Sequence, residues 1–518
     1  DIDGTLETDN LTVGGSQGSD GQVLTSTGSG VGWEDAGGGG GVTGKVEGTD
    51  FTDSLIVGHD TTGTLSNAYG NTAVGIDAMD TITSGSRNTI IGFEAGTAIT
   101  ASPVNVAVGY RALMTQSVYA AWGNTVVGAD AMKDNTNGLE NAGLGYQILT
   151  ENTDGIDNAA FGFKALQDNT TGNHNTGVGT RALGNQQTAH YNTAIGSYAG
   201  NGGRLTGDSN TMGGYNTMLA TTSGTGNATW GRDSLKVNVD GDYNTAIGFQ
   251  ALDANTSAND NVAVGKDALG ANTTGTKNTA VGTDALSSNL TGDLNTAIGY
   301  NCGTSVTGGV NTLIGGNVGY NITSGGANVV IGRESGCQIG TGGQNTAIGN
   351  MAMESGSSGN YNTMIGNHSG RGSGGASGQS SAVGAMSLYS VGSGANDNVS
   401  MGYQSGYHIS TGDRNVCLGS SAGAASGTGV GVALTTGDMN ILIGAASDTS
   451  AADSDNQIVI GDNVTGNANN SFCFGYATTD SAIAFGATSI TAPSDIRLKE
   501  DIEDEVVGLD FINELRPV

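Results

Sequence analysis

The residues able to carry chemistry are few, and most are badly placed for it. Cys302, Cys337, Cys417 and Cys473 have no C-x-x-C spacing, and Cys417 and Cys473 hold places filled elsewhere by small or apolar residues. They read as small core hydrophobes rather than metal or redox ligands. His59, His174, His190, His368 and His408 share no repeat phase, so a metal cluster is not expected. Asp208, Asp242, Asp293, Asp413 and Asp438 each follow a glycine, but the nonapeptide pattern of calcium-binding β-rolls is missing, which leaves only adventitious Ca²⁺ and no cofactor. Polysaccharide cleavage would need paired carboxylates, whereas Glu334 and Glu354 stand apart. Tyr119 and Trp122, in the insert "MTQSVYAAWGN", are candidate receptor contacts, because exposed aromatics stack on sugars or anchor partners. A second irregular stretch, "SSAGAASGTGVGVALTTGDMN", offers another place for specificity. Ser494 and Lys499 lie five residues apart, a spacing that shares a face on neither helix nor strand.

The elements behind these residues are set by an unusual composition. The chain has 518 residues, of which 92 are Gly and 5% aromatic, too few large side chains for ordinary globular cores. Its hydrophobic fraction of 36% is too high for a disordered polar tract, so apolar groups must be buried in something thin. A net charge of −31 excludes nucleic acid and anionic membranes as electrostatic partners. No apolar run is long enough for membrane insertion. Asp1 stands where an initiator Met would, so the chain is expected to be part of a longer polypeptide.

A motif close to N-T-A-[IV]-G ends at Gly58, Gly75, Gly92 and Gly109 and recurs through Gly444, 23 copies mostly 17 residues apart. One fixed period repeated so often is the signature of a solenoid. Within "NTAVGTDALSSNLTGDL" two strand-like pieces, "TAVG" and "DAL", are separated by turn residues, which predicts an all-β coil of two short strands. Strands about 4.8 Å apart would make the whole repeat region a rod on the order of 105 Å long. The residue before the glycine is apolar in every copy but Gly213, and its predecessor is mostly small and apolar. Neighbouring strand residues face opposite ways, so one row fills the coil and the other emerges. A lone chain would then expose an apolar stripe, so several identical chains are expected to pack around an axis. The asparagine opening each copy, as at Asn71, Asn88 and Asn278, is read as a stacked amide column or a left-handed turn residue.

The "NTAIGxxAL" copies of residues 51–461 resemble the head repeats of trimeric autotransporter adhesins and, more closely, repeats of phage tail fibres. The resemblance implies a homotrimeric parallel β-solenoid, or β-roll. "SDIRLK" from Ser494, followed by "LRPV", resembles the start of the C-terminal intramolecular chaperone of tail fibres, tailspikes and endosialidases, which trimerises the fibre and then cuts itself off. That likeness implies Ser494 as nucleophile and Lys499 as its base, which requires a desolvated, uncharged amine. The chaperone domain is much longer than residues 494–518, so here it is truncated. Ile502, Val506, Leu509, Ile512 and Leu515 are spaced as on one helix face, predicting a short C-terminal α-helical segment. Near-identical coils specify register weakly, and a terminal trimerising device would set it.

The expected organisation is a Gly/Ser-rich stem or linker at 1–50, a solenoid at 51–461, a neck at 462–493 and the chaperone start at 494–518. The expected function is a structural and host-attachment segment of a bacteriophage tail fibre, extracellular on the virion. It would not be an enzyme beyond one-turnover autoproteolysis in its full-length parent. Its partners would be itself as a homotrimer, a host-surface glycan or protein receptor, and other tail proteins. The alternatives are a bacterial surface adhesin head or a polysaccharide-degrading tailspike; an ice-binding solenoid is disfavoured because Val and Ala break the row of Thr72, Thr89 and Thr193.

Overall fold

The computed structural model describes residues 50–59, 61–116, 121–355, 358–372, 378–425, 431–477 and 481–487, together with the backbone of the strands between Thr12 and Gly48. Two compact units divide the chain, Asp1–Thr206 and Gly207–Val518. Among the described residues every regular element is a strand. The expected C-terminal helix lies outside them.

Both units are parallel β-solenoids. In the first, three-residue strands such as Thr72–Val74, Thr89–Ile91 and Val106–Val108 pair in parallel with residue i opposite its counterpart one coil on. In the second the same register links Thr279–Val281 to Thr296–Ile298 and continues through Gln457–Asp462 to Ser471–Tyr476, beyond the expected boundary at 461. Within the first 50 residues, Gln22–Ser26 pairs antiparallel with Val31–Asp35, and Gly44–Gly48 pairs antiparallel with Phe51–Val57 on the first coil. Ser481–Ala484 likewise runs antiparallel to Ser471–Tyr476 in the second unit. Such reversed strands occupy sheet edges that would otherwise offer unpaired N–H and C=O groups to another chain.

Each coil has one strand of this kind, not two. The "DAL" piece is a turn: Asp284 and Leu286 have φ of 57° and 51°, in the left-handed region. Alternation in a strand would turn Ala285 and Leu286 to opposite faces, yet both are fully buried. A left-handed non-glycine residue costs roughly 1–2 kcal/mol, and burying a leucine contributes about 1.5–3 kcal/mol in the other direction. Coil-to-coil bonding survives the change of dihedral, since Leu286 N donates to Cys302 O at 2.9 Å and Asp284 N to Lys266 O at 2.9 Å.

The core is thin and volume-matched. In many coils whose middle strand residue is Ala, such as Ala73, Ala107 and Ala280, the residue six positions on is large, Met79, Leu113 or Leu286. In several coils with a larger strand residue, as at Ile90, Leu313, Val330 and Met364, that place is glycine. A Cβ on Gly96 would lie 3.2 Å from Ile90 Cγ2, one on Gly336 2.7 Å from Val330 Cγ1, and one on Gly370 2.5 Å from Met364 Sδ. In these coils large and small exchange places, as close packing favours.

The asparagine row forms the amide column. Asn278 Nδ2 donates to Asn261 Oδ1 at 3.2 Å and to Gly292 O at 2.8 Å, while its own Oδ1 accepts from Asn295 N at 2.9 Å. The left-handed residue is the one before it, as at Lys277 with φ 58°. A second buried amide column, Asn238, Asn255, Asn272 and Asn289, runs beside it, with Asn255 Nδ2 on Asn238 Oδ1 at 2.8 Å. Asn278→Ala should destabilise the protein by about 3 kcal/mol, because a buried Asn295 N–H loses its acceptor and a small cavity opens. A urea midpoint lowered at unchanged m, measured at fixed protein concentration, is the expected result.

The cysteines behave as hydrophobes. Cys302, Cys417 and Cys473 are buried, and burial pushes the Cys302 and Cys417 thiols up to about 12 and Cys337 to about 11.

Candidate self-association face

The strand decides which row emerges. In Thr72–Val74, Thr193–Ile195, Thr245–Ile247 and Thr296–Ile298 the central alanine is fully buried, while Val74, Ile195, Ile247 and Ile298 are exposed. The same holds for Ile91, Leu144, Phe161, Ile314, Val383, Met401, Ile443 and Ile460. An outward apolar row, mostly of branched aliphatics, therefore runs along each unit.

The glycine that follows is compelled by its neighbour. Gly92 has φ 140°, and a Cβ there would lie 2.2 Å from Gly109 O; Gly349 has φ 139° and would meet Gly366 O at 2.4 Å. With no side chain possible, the backbone forms a bare column, and the residue after it turns outward again. That position holds Ile76, Phe93, Tyr110, Tyr146 and Phe163 in the first unit and Tyr215, Phe249, Tyr300 and Tyr403 in the second, all exposed. Phe93 and Tyr110 stack with centroids 5.7 Å apart, and Tyr146 and Phe163 at 5.6 Å. This aromatic column was missed by sequence reasoning, although its 17-residue spacing was available.

Gly213, the exception in the aliphatic row, is now accounted for. A Cβ there would lie 2.2 Å from Trp230 Cε3, so the indole of the next coil covers the place where a side chain would stand.

Charges in the aromatic column come with an adjacent partner. Arg232 Nε meets Asp233 Oδ2 at 3.0 Å, Arg333 Nη2 meets Glu334 Oε1 at 2.6 Å, and Lys266 pairs with Asp267. Arg111 lies 4.8 Å from the Tyr110 ring centre and bonds Glu94 at 2.5 Å, which holds its guanidinium above the ordinary value. The face is thus apolar with its charges locally neutralised, despite a chain carrying −31 overall.

Of the predicted site residues, Trp122 is half exposed, and its carbonyl accepts from Glu140 N at 3.0 Å. Tyr119, Ser494 and Lys499 lie outside the described residues, as does part of the second irregular stretch, residues 426–430. Among the described residues no group of three or more His, Cys, Asp or Glu side chains is arranged to hold a metal ion. No family model and no curated protein matches the chain.

Proposed function

We propose that this chain is a structural and host-attachment segment of a bacteriophage tail fibre, in which identical chains cover one another's apolar faces as a homotrimer. The observation that carries the self-association is the exposed aliphatic row in each unit beside a column where exposed aromatics recur, as at Phe93, Tyr110, Tyr146, Phe163, Tyr215, Phe249, Tyr300 and Tyr403, a pattern a soluble monomer rarely leaves uncovered. A partner touching every coil must itself repeat at the strand spacing of about 4.8 Å. Further copies of this chain meet that condition. Paired rather than lone charges on the face reduce the desolvation penalty of covering it. The number three, the virion setting and the role in attachment rest on the likeness of the repeats and of "SDIRLK" to tail-fibre sequences.

Multi-angle light scattering tests the assembly. The expected mass is three times that of the 51.4 kDa chain. A single-chain mass at micromolar concentration overturns the reading. The chaperone half has its own test, mass spectrometry of a longer polypeptide that continues past Val518. Cleavage before Ser494 is expected in the unaltered protein and its abolition in Ser494→Ala; identical intact masses for both would dismiss autoproteolysis.

A further inference from the structure

Five positions after the column glycine most coils carry something small or flexible, as at Gly184, Gly270, Ser287 and Thr304. In four successive coils of the second unit the same place reads Glu354, Arg371, Tyr389 and Tyr407. The steps from Gly366 to Gly384 and from Gly384 to Gly402 are 18 residues rather than 17, so longer turns accompany the change. The coil itself does not require these side chains, since glycine and serine fill the position elsewhere.

They form a ladder. Arg371 Nε donates to Glu354 Oε2 at 2.5 Å, and Nη1 donates to Tyr389 Oη at 2.8 Å. The guanidinium carbon lies 5.6 Å from the centre of the Tyr389 ring. Tyr389 and Tyr407 stack 4.7 Å apart and 2° from parallel. Beside the ladder is a hollow of about 370 Å³ lined by Ser355, Arg371, Gly372, Tyr389 and Ser390.

We propose that this hollow binds a saccharide through a carboxylate-bearing sugar. Two hydrogen bonds fix the guanidinium in place, and among the described residues its Nη2 group meets no acceptor, leaving N–H groups that can donate to a carboxylate oxygen. Tyr389 Oη accepts from Arg371 and keeps its own proton to donate. The hydroxyls of Ser355 and Ser390 both donate and accept, as the hydroxyls of a sugar ring require. Tyr407 stacks on one face of Tyr389, and Arg371 stands at the hydroxyl edge of the same ring, so the polar groups of the ladder face the hollow's ligand. The volume lies at the lower end of the ~300–1,000 Å³ of small-ligand sites, room for one sugar and part of the next. Repulsion from the rest of the acidic chain is screened beyond about 8 Å at physiological salt, and the nearest acid, Glu354, is already paired with Arg371 Nε, so the hydrogen bonds from Nη2, Tyr389 and the serines decide. This deepens the attachment part of the function proposed above and rests on it only for the biological source of the sugar.

The test is calorimetric titration of the full chain with an α-1,4-linked trigalacturonate and with its carboxyl-reduced, neutral counterpart. The acidic trisaccharide should bind with sub-millimolar affinity and the neutral one at least ~10-fold more weakly. Arg371→Gln should weaken binding by ~10-fold or more. Ser355→Leu, which fills the hollow and leaves the ladder alone, should do the same. Equal binding of both saccharides, wild-type affinity in both variants, or no binding of the acidic one at about 10 mM overturns the proposal. Light scattering on the same samples separates the two readings: lost sugar binding with unchanged mass bears on the hollow alone, and a single-chain mass in the unaltered protein bears on self-association alone.

Discussion

A chain carrying Ile298→Lys, Ile314→Lys and Ile348→Lys should sediment as a single folded copy, where the unaltered protein is expected to sediment as three. All three isoleucines stand in the outward aliphatic row, each paired in register with its counterpart one coil away, while the inward neighbours Ala297, Leu313 and Ala347 remain untouched. Exposed substitutions of this kind change the stability of a lone coil by only about 0.5 kcal/mol each. In an assembly each isoleucine contributes about 2 kcal/mol of burial per chain, and each lysine would need desolvating with no partner charge beside it. Loss of assembly with the circular dichroism of the β-fold retained is therefore the expected outcome. Leu290→Lys is the control, because Leu290 is just as exposed but belongs to a different column. A threefold mass in the triple variant, or dissociation caused equally by Leu290→Lys, would remove the face from the interface.

The period of 17 made the solenoid legible because each copy repeats the same two requirements: an apolar strand and a glycine that cannot carry a Cβ. The outward stripe was legible for a similar reason, since two adjacent apolar residues on a strand cannot both point inward. The "DAL" turn was not. Leucine has no intrinsic leaning toward the left-handed region, and Leu286 adopts it only because neighbouring coils supply hydrogen bonds and a dry interior. The aromatic column escaped notice because its occupants change chemistry from coil to coil: Tyr300 at one level, Thr283 and Gly316 beside it, and Arg333 further on. The Glu354–Arg371 pairing was hidden by linear spacing. Seventeen residues apart in sequence, they are neighbours only once the coils stack.

The glycine column sets the second large prediction. Gly349→Ala should cost at least about 4–5 kcal/mol, a magnitude seen only where backbone strain and collision combine. An alanine at φ 139° occupies a sparsely populated region worth roughly 1–3 kcal/mol, and its Cβ would stand 2.4 Å from Gly366 O and 2.6 Å from Gly366 C. Neither atom can retreat, because strand pairing holds Thr346–Ile348 in register with Thr363–Ile365 on the same side. Relief must come from separating the coils, which sacrifices ladder bonds such as Gly366 N to Ile348 O at 2.8 Å. Since each coil touches only its neighbours, the damage should stay local. Hydrogen exchange should show protection falling by about 10³-fold for the amides of residues 346–366, with distant coils little changed. Gly316→Ala provides the contrast: nothing lies within 4 Å of its added Cβ, in a column that elsewhere accommodates Tyr300 and Arg333. It should alter stability by no more than about 0.5 kcal/mol. Equal protection in the two variants would mean that the bare backbone column is a habit of the sequence and not a packing constraint.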